Sequence, residues 1–320
     1  MVMNIMKYIV NWSLKRNVII LSDGDWDGIV GSALLYKELN KRKIKVNQVD
    51  FPSPLIIHEL NVSNSIIIEL SPSRGYKVIG ENLLIDHHDF NGIKHIFPSD
   101  EKILFITDKS FSSVAELIVT ILNLDINEKW YNILNAVNLI DQGGSRDNKF
   151  SWMLHSAYLY NIEDDNFRKK IFNLLTKDRL KDVINICRNE SSNYMKAQGM
   201  IPKIISRTIK IKNNIAFTWY FNNIKNERIV FREAMFKLEE KYDLVIIASI
   251  KNNKIYRLHL GTNKDLIDSS LIAKKIAKKL LEKNFKVTAG GKKGAGGVQI
   301  IDINKPNIDE IIEIIKNIIS

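Results

Sequence analysis

The sequence lacks the residues and runs from which several classes of protein are built. Its 320 residues include a single cysteine, Cys187, which excludes an internal disulfide and a thiolate metal cluster and fits a reducing, cytoplasmic setting. No apolar run is long enough to cross a bilayer. The first residues show no small-residue cleavage site after a long apolar core, so they predict a short helix rather than a signal peptide. With 45% hydrophobic and 26% charged residues, the chain is expected to be globular and long enough for two domains.

Acidic residues are scarce in one part of the chain only. Residues 201–320 carry 23 Lys and Arg against 12 Asp and Glu, whereas residues 1–200 carry 24 of each, so the net charge of +11 belongs to the C-terminal part. A basic part beside a neutral one indicates a polyanionic ligand that the first holds and the second processes. Solvated lysines in a generally Lys-rich chain are the competing interpretation.

The richest chemical signal is an acidic turn near the N-terminus. The β-branched run at residues 17–21 is typical of a buried strand, and it is followed by three alternating carboxylates, Asp23, Asp25 and Asp27. Gly28 and Gly31 then open an apolar-periodic segment at residues 33–39 that predicts a helix. Clustered carboxylates need a counter-charge, and oxygen ligands suit Mg²⁺ or Mn²⁺. A solvated acidic turn before a helix is the plainer alternative.

Four further strands are predicted at residues 45–51, 65–70, 83–85 and 102–107. The second of these ends at Glu69, and the third runs into Asp86, His87 and His88. Strands that alternate with helices or loops indicate a mainly parallel sheet, whose strands present ligands at one edge. Helical patterns follow from residue 113, and one of them ends at Asp141 before two glycines, where Asp141 is either a turn residue or a further ligand.

The second half of the chain predicts a separate domain. Residues 150–200 have a helical pattern, and a connecting helix or linker at residues 186–202 divides a first domain, residues 1–185, from a second, residues 203–320. In the second domain we expect strands at residues 204–211, 215–220, 244–250 and 255–260 and a helix at residues 269–281. A glycine-rich turn at residues 289–297 is expected to lead into a strand at residues 298–303 and a helix at residues 308–319.

Taken together, four separated motifs in order resemble the DHH phosphoesterases that carry a C-terminal DHHA1 domain, and the RecJ-like nucleases in particular. The motifs are Asp-Gly-Asp-Trp-Asp-Gly at 23–28, the strand end at Glu69, Asp-His-His at 86–88 and Asp141. The glycine-rich stretch at 290–297 is similar to the family's substrate loop. The resemblance implies an α/β fold, with a mainly parallel five-stranded sheet and flanking helices, a smaller α/β DHHA1 domain, and a cleft between the two.

The resemblance also implies roles for individual residues. Two Mn²⁺ or Mg²⁺ ions would be held by Asp25, Asp27, Glu69, Asp86, His87 and Asp141, with Glu69 as the bridge. Asp86 would also orient a ligand, and His88 would contact the scissile phosphate, so both count as catalytic. The ions would supply positive charge to the phosphate and an activated water. The implied substrate-binding residues are Gly290, Gly291, Lys292, Lys293, Gly296, Gly297 and Arg257.

Several positions depart from the family pattern. Glu69 stands where an Asp is usual, Lys292 where the substrate loop has a His, and Gly296 where it has an Ala. Near Gly261, where members often have an Arg, the nearest substitutes are Arg257 and His259. We therefore expect phosphate binding to persist, because a lysine grips phosphate as a point charge, and recognition of the strand end to differ.

Three functions fit these residues. The first is a metal-dependent exonuclease on single-stranded DNA or RNA, of use in DNA repair or replication. The second is a phosphoesterase for small substrates, such as short oligonucleotides, cyclic dinucleotides or nucleotide bisphosphates. The third is a catalytically weakened scaffold that binds GINS-type subunits of the replicative helicase assembly; the altered Glu69, Lys292 and Gly296 favour it, and the intact acidic motifs oppose it.

Overall fold

The computed structural model of the chain describes residues 2–52, 57–71, 75–88, 102–221, 227–252, 254–301 and 305–319. The chain divides into two compact units, Met1–Asn193 and Tyr194–Ser320. This division falls inside the connecting segment that the sequence predicted, while the exact domain bounds and the cleft between the domains stay predictions. Among the described helices, none combines the length and the apolar character that crossing a bilayer requires.

The first unit alternates strands and helices and then continues as helices. Its elements are α1 (Val2–Leu14), β1 (Val18–Ser22), α2 (Trp26–Lys41), β2 (Val46–Asp50), β3 (Asn61–Val62), β4 (Ser65–Ile68), β5 (Lys77–Val78), β6 (Glu81–Asp86), β7 (Lys102–Thr107), α3 (Val114–Ile121), α4 (Glu128–Asp141), α5 (Lys149–Tyr160), α6 (Asp165–Thr176) and α7 (Leu180–Gln198).

The predicted five-stranded parallel sheet is confirmed. Its order is β2-β1-β4-β6-β7, and every neighbouring pair is parallel. In the register, Ser22 of β1 lies beside Ile68 of β4, and Ile68 lies beside Ile85 of β6. The acidic turn, Glu69 and the Asp-His-His segment therefore leave the sheet at the same edge from three adjacent strands, as parallel strands require.

Helix α2 lies at the centre of the first unit. It is buried along most of its length, including Ile29, Val30 and Leu35, because it packs between the sheet and the later helices. Gly31 permits that packing, since a Cβ there would lie 3.1 Å from the Ile118 side chain on α3. A helix buried on most sides is held rigidly, and so are the residues at its N-terminus.

The second unit is a mixed sheet with helices. Its strands run in the order β12-β13-β11-β10-β9-β8. Its elements are α8 (Ile201–Ser206), β8 (Ile209–Ile211), β9 (Ile215–Phe221), α9 (Glu227–Glu239), β10 (Leu244–Lys251), β11 (Lys254–Gly261), α10 (Ser269–Glu282), β12 (Val287–Lys292), β13 (Ala295–Ile300) and α11 (Ile308–Ile319).

Two local predictions in this unit were wrong. Of the strand expected at residues 204–211, only Ile209–Ile211 forms one, as β8, because residues 204–206 are the end of helix α8. Pro202 occupies the first turn of that helix, where a missing N–H costs nothing. The expected glycine-rich turn is a hairpin, in which β12 pairs with β13 and only Lys293 and Gly294 lie between the strands. The last strand accordingly begins at Ala295 and ends at Ile300. Pairing across the sheet overrides the weak strand propensity of glycine.

Gly296 has a packing reason in this hairpin. A Cβ at this position would lie 2.4 Å from the carbonyl oxygen of Ser269, the first residue of α10. The same helix start is held to the hairpin by the Ser269 N–H, which donates to the Lys293 carbonyl oxygen at 2.8 Å. The departure from Ala at this position therefore follows from the close approach of a helix to a strand.

Candidate metal centre

The acidic turn between β1 and α2 is fixed by its own hydrogen bonds. Asp25 is the N-cap of α2, and its Oδ1 accepts the N–H of Gly28 at 2.9 Å. Two residues before this cap, the Oδ1 of Asp23 accepts the N–H of Asp25 at 3.3 Å. Asp, a preferred N-cap residue, thus starts the helix and places its carboxylate beside the end of β1.

Later helices brace this turn from behind. The carbonyl oxygen of Gly24 accepts a hydrogen bond from the Nε of Arg168 at 3.1 Å, and Arg168 is 5% exposed. The indole N–H of Trp26 donates to the carbonyl oxygen of Leu154 on α5 at 2.7 Å. Trp26 is itself 1% exposed, so it packs beneath the turn and holds the turn against α5.

Gly24 is needed for this arrangement, which gives a prediction about stability. Its φ is +82°, and a Cβ would lie 2.8 Å from the Cδ of Arg168 and 2.9 Å from the Cβ of Phe51. We expect Gly24→Ala to lower the free energy of unfolding by about 2–4 kcal/mol, through left-handed strain and overpacking together. Urea denaturation measures this change.

Gly80→Ala is the matched control for that measurement. Gly80 has a similar φ of +67°, but nothing lies within 4 Å of the position its Cβ would take. This variant should show the strain alone, about 1–2 kcal/mol. Equal losses in the two variants would contradict the proposed contact of Gly24 with Arg168 and Phe51.

Asp27 is the second residue of α2, and its carboxylate points at the start of α3. Its Oδ2 accepts the N–H of Val114 at 2.7 Å and its Oδ1 accepts the N–H of Ala115 at 2.8 Å. The carboxylate is thereby held at a helix N-terminus, where negative charge is favourable. With 2% exposure, Asp27 is buried, and its orientation is fixed by two elements.

Glu69 follows β4 directly in an unusual backbone conformation. Its φ is +54°, the left-handed region, and its N–H donates to the carbonyl oxygen of Ile85 on β6 at 3.1 Å. The residue is 8% exposed, and its Oε2 is buried with no hydrogen-bond partner. Strained backbone of this kind, held by surrounding structure, is concentrated at functional sites.

His87 completes the buried group with a defined ring orientation. Its Nδ1 lies 3.3 Å from the carbonyl oxygen of Phe111, which can only accept, so Nδ1 carries a proton. The other ring nitrogen, Nε2, is buried and has no hydrogen-bond partner. A backbone carbonyl that fixes the distal nitrogen is the usual support of a histidine that binds a metal through Nε2.

Four of the six predicted ligands lie close together. The Nε2 of His87 lies 3.3 Å from the Oδ2 of Asp141, 3.7 Å from the Oδ2 of Asp27 and 3.7 Å from the Oε1 of Glu69. These four residues each offer a donor atom within 4.8 Å of all the others. Adjacent donors around a six-coordinate Mg²⁺ are about 3 Å apart, so the spacing suits one small ion with modest adjustment.

Glu69 belongs to two further groups of donors. One joins it to Asp23 and Asp25, and the other joins it to His87 and His88. Asp23 is the first of the alternating carboxylates, but the resemblance does not imply that it is a ligand. The alternation is the signal that indicates it, because Asp23 and Asp25 flank the single residue Gly24 directly after the end of β1.

The electrostatics of the group are those of crowded, buried acids. Burial raises the pKa of Asp27 well above its usual range, and the charge of Asp25 raises it further, against the two backbone N–H groups that lower it. Burial likewise raises the pKa of Glu69, followed by the charges of Asp27 and Asp25. Burial is also the main reason that the pKa of Asp141 is raised. Such a group is short of positive charge.

The residues present fit a divalent cation. The donors are mixed carboxylate and imidazole, which suits Mn²⁺ or Mg²⁺. Two of the donor atoms, the Nε2 of His87 and the Oε2 of Glu69, are buried without a hydrogen-bond partner, a state that costs free energy unless a ligand satisfies it. An ion held there would satisfy both atoms and offset the repulsion among the carboxylates.

Asp86 and His88 form a pair beside this group. The Oδ1 of Asp86 accepts the backbone N–H of His88 at 2.8 Å and faces the Nδ1 of the same ring at 2.7 Å. Asp86 is 1% exposed, whereas 59% of the His88 side chain is exposed. The pair therefore fixes the ring and leaves its Nε2 as the position open to a ligand; Asp86 is not in any of the described donor groups.

The predicted substrate-binding residues all lie in the second unit. Arg257 is exposed on β11, where it pairs with Gln299 of β13. Gly290 pairs with Gly297, Gly291 with Gly296, and Lys292 with Ala295, so these residues lie on the β12–β13 hairpin. Lys292 and Lys293 are exposed. Their role in binding substrate stays a prediction.

Comparisons with known proteins give likenesses of structure. No family model and no curated protein sequence matches the chain. The phosphodiesterase PggH of Vibrio cholerae, described as pGpG-specific, matches with 15% identity and a TM-score of 0.46, over 94% of this chain and 97% of that one. RecJ of Thermus thermophilus, solved with Mn²⁺, matches with 10% identity and a TM-score of 0.44, over 99% of this chain and 54% of that one.

A third solved structure is CDC45 of Entamoeba histolytica, with 9% identity and a TM-score of 0.49, over 99% of this chain and 98% of that one. The chain thus spans about half the length of RecJ and nearly all of the other two. At these scores the three structures carry no argument about activity, which depends on the residues of the site.

Proposed function

We propose that this protein is a metal-dependent phosphodiesterase, most simply a RecJ-like exonuclease that releases nucleotides from single-stranded DNA or RNA. The observation that carries the proposal is the convergence of Asp27, Glu69, His87 and Asp141 on one point, with two buried donor atoms that have no hydrogen-bond partner. Asp23 and Asp25 form a further donor group with Glu69, which would hold a second ion. Paired divalent ions are the usual catalysts of phosphodiester hydrolysis, because they supply positive charge to the phosphate and activate a water.

The chain's own residues divide the remaining work. The backbone N–H groups of α3 hold the carboxylate of Asp27, and the Phe111 carbonyl holds the ring of His87, so the ligand atoms need little rearrangement to bind. Burial by Trp26 and α2 keeps bulk water from one side of the group. In a preorganised site of this kind, the repulsion among the carboxylates is overcome when the chain folds and not when the ligand binds.

His88 is the candidate for contact with the substrate. Its Nδ1 is turned to Asp86 and its ring is exposed, so the Nε2 of the doubly protonated ring can donate a proton to a phosphate oxygen or to the leaving oxygen. Asp86 has the role of orienting this ring rather than of a further ligand. The two residues predicted to be catalytic therefore have different roles, since His88 contacts the substrate and Asp86 orients His88.

Product analysis tests the proposal. End-labelled single strands of DNA and RNA, each thirty or two residues long, are incubated with the pure protein and Mn²⁺, with a chelator as control. We expect Mn²⁺-dependent release of mononucleotides from the long strands, and binding that weakens steeply with salt because phosphates are neutralised. Hydrolysis confined to the two-residue strands would favour the small-substrate alternative, and no hydrolysis of any strand would contradict the proposal.

The scaffold alternative is distinguished by a different result. A protein that only binds GINS-type helicase subunits has no need to hold unpaired donor atoms in a buried acidic group, which costs free energy. The intact donor set therefore favours an enzyme. Purification of the protein without any bound metal, in a stable complex with such subunits, would overturn this preference.

A further inference from the structure

A cation and two aromatic rings lie together on the first unit, outside the donor groups. The guanidinium carbon of Arg146 lies 5.0 Å from the centre of the Trp152 ring, a cation–π distance. The rings of Trp152 and His155 are 6.0 Å apart and inclined at 44°. Arg146 is exposed, and the two rings are half-buried. We call Arg146, Trp152 and His155 the aromatic platform.

The segment that carries the platform is hydrogen-bonded to the acidic turn. Trp26, which lies between Asp25 and Asp27, donates its indole N–H to the carbonyl of Leu154, the residue before His155. Along the chain, Arg146 follows Asp141 by five residues, through the turn that ends α4. The charges of Asp25 and Arg146 both influence His155. Burial is the main reason that the pKa of His155 is lowered; the charge of Asp25 raises this pKa, and the charge of Arg146 lowers it further.

The platform has the chemistry of a nucleotide site. Indole rings and guanidinium groups both stack with nucleic-acid bases, and base–aromatic stacking is tolerant of base identity. The guanidinium of Arg146 lies over the Trp152 ring and is exposed, so its charge can reach a phosphate oxygen. The Nδ1 of His155 has no hydrogen-bond partner, and it is a further polar atom beside the ring.

We propose that the aromatic platform binds the nucleotide next to the scissile phosphate, with its base stacked on Trp152 and its phosphate near Arg146. The inference rests on the proposed function, because it assumes that the donor groups act on a phosphodiester. It adds a substrate subsite within the first unit, on α5 and the turn before it. None of the predicted substrate-binding residues belongs to this subsite.

Matched substrates test the subsite. An adenine dinucleotide is compared with two analogues in which one base or the other is replaced by an abasic tetrahydrofuran residue. For the wild-type chain, loss of the stacked base should lower kcat/KM by about tenfold, which is the worth of one stacked base. For Trp152→Ala, the ratio of kcat/KM for the dinucleotide to kcat/KM for that analogue should approach one. Trp152→Phe should restore most of the ratio.

The controls separate binding from folding. Tyr131 is another aromatic residue of the first unit, 55% exposed on α4, and Tyr131→Ala should leave the substrate ratio as in the wild type. Urea denaturation of each variant reports its stability. If Trp152→Ala lowers stability but keeps the wild-type ratio, the platform is only a packing feature and the subsite is wrong.

A binding measurement needs no turnover. A dinucleotide carrying 2-aminopurine is titrated with the protein in Ca²⁺, and stacking quenches its fluorescence. We expect quenching by the wild type and by Tyr131→Ala, and about tenfold weaker binding by Trp152→Ala. Quenching without hydrolysis in Mn²⁺ would contradict the proposed function and keep the subsite, whereas hydrolysis with an unchanged ratio and unchanged quenching in Trp152→Ala would contradict the subsite alone.

Discussion

Replacing Asp27 by Asn is expected to reduce Mn²⁺-dependent hydrolysis by about 10³-fold or more, which corresponds to about 4 kcal/mol of transition-state stabilisation. Asp27 provides one of four donor atoms that lie within 4.8 Å of one another, and its carboxylate is fixed by two N–H groups of α3. An amide keeps the shape but loses the charge. It also turns one acceptor into a donor, which faces either the His87 nitrogen or the start of α3. Steady-state rates on a labelled single strand measure the loss.

The control for Asp27→Asn must remove a charge without touching the site. Asp125 is an exposed residue of the same unit, between α3 and α4, and Asp125→Asn should keep the wild-type rate. Asp27→Asn itself should remain folded, because the loss of a helix-start acceptor is offset by relief of the repulsion that raises its pKa. A rate within tenfold of the wild type, in a folded variant, would show that Asp27 holds no catalytic ion.

The first unit could be predicted from the sequence because its signals are local and repeated. Each parallel strand is a short β-branched run, and the helices carry the 3.6-residue period, as in the Val114–Ile121 helix. The hairpin at Gly290–Gly297 could not be predicted in this way. Glycine has no side chain from which a period can be read, and its strand state there depends on pairing with β11 and on the approach of Ser269.

Four of the candidate donors could be predicted from the sequence, but the positions of Asp23 and Asp86 could not. The motif positions indicate that Asp27, Glu69, His87 and Asp141 are candidates, and parallel topology explains why strand ends meet. The sequence carries no sign that the Asp86 carboxylate is occupied by the backbone and ring of His88. The two contacts between Asp86 and His88 depend on the backbone conformation directly after β6.

The aromatic platform shows a further limit of sequence patterns. Arg146, Trp152 and His155 lie on either side of a helix start, and neither their spacing nor their residue types form a motif. Their relation to the acidic turn depends on one long-range hydrogen bond, from Trp26 to Leu154, across 128 residues of chain. Contacts at this separation are set by the fold as a whole.

Metal binding should separate the two ion sites that share Glu69. We expect the wild-type chain to bind two Mn²⁺ ions, as measured by equilibrium dialysis and elemental analysis. Asp141→Asn should weaken one ion, because Asp141 belongs to the group with Asp27 and His87, and Asp23→Asn should weaken the other. Glu69→Gln should weaken both, because Glu69 occurs in every donor group found among the described residues.

The same variants should differ in thermal stability. Two ions, each present at a hundred times its Kd, together stabilise the folded chain by about 5 kcal/mol, so Mn²⁺ should raise the Tm of the chelator-treated wild type by about 5–10 °C. The rise should shrink by about half in Asp23→Asn and nearly vanish in Glu69→Gln. Without metal, Glu69→Gln should be at least as stable as the wild type, since the amide replaces a buried carboxyl group whose pKa is raised by burial and by its acidic neighbours. If Glu69→Gln still binds two ions and still gains the full rise in Tm, Glu69 is not the bridge. The donors on either side of it would then have to be assigned to separate sites.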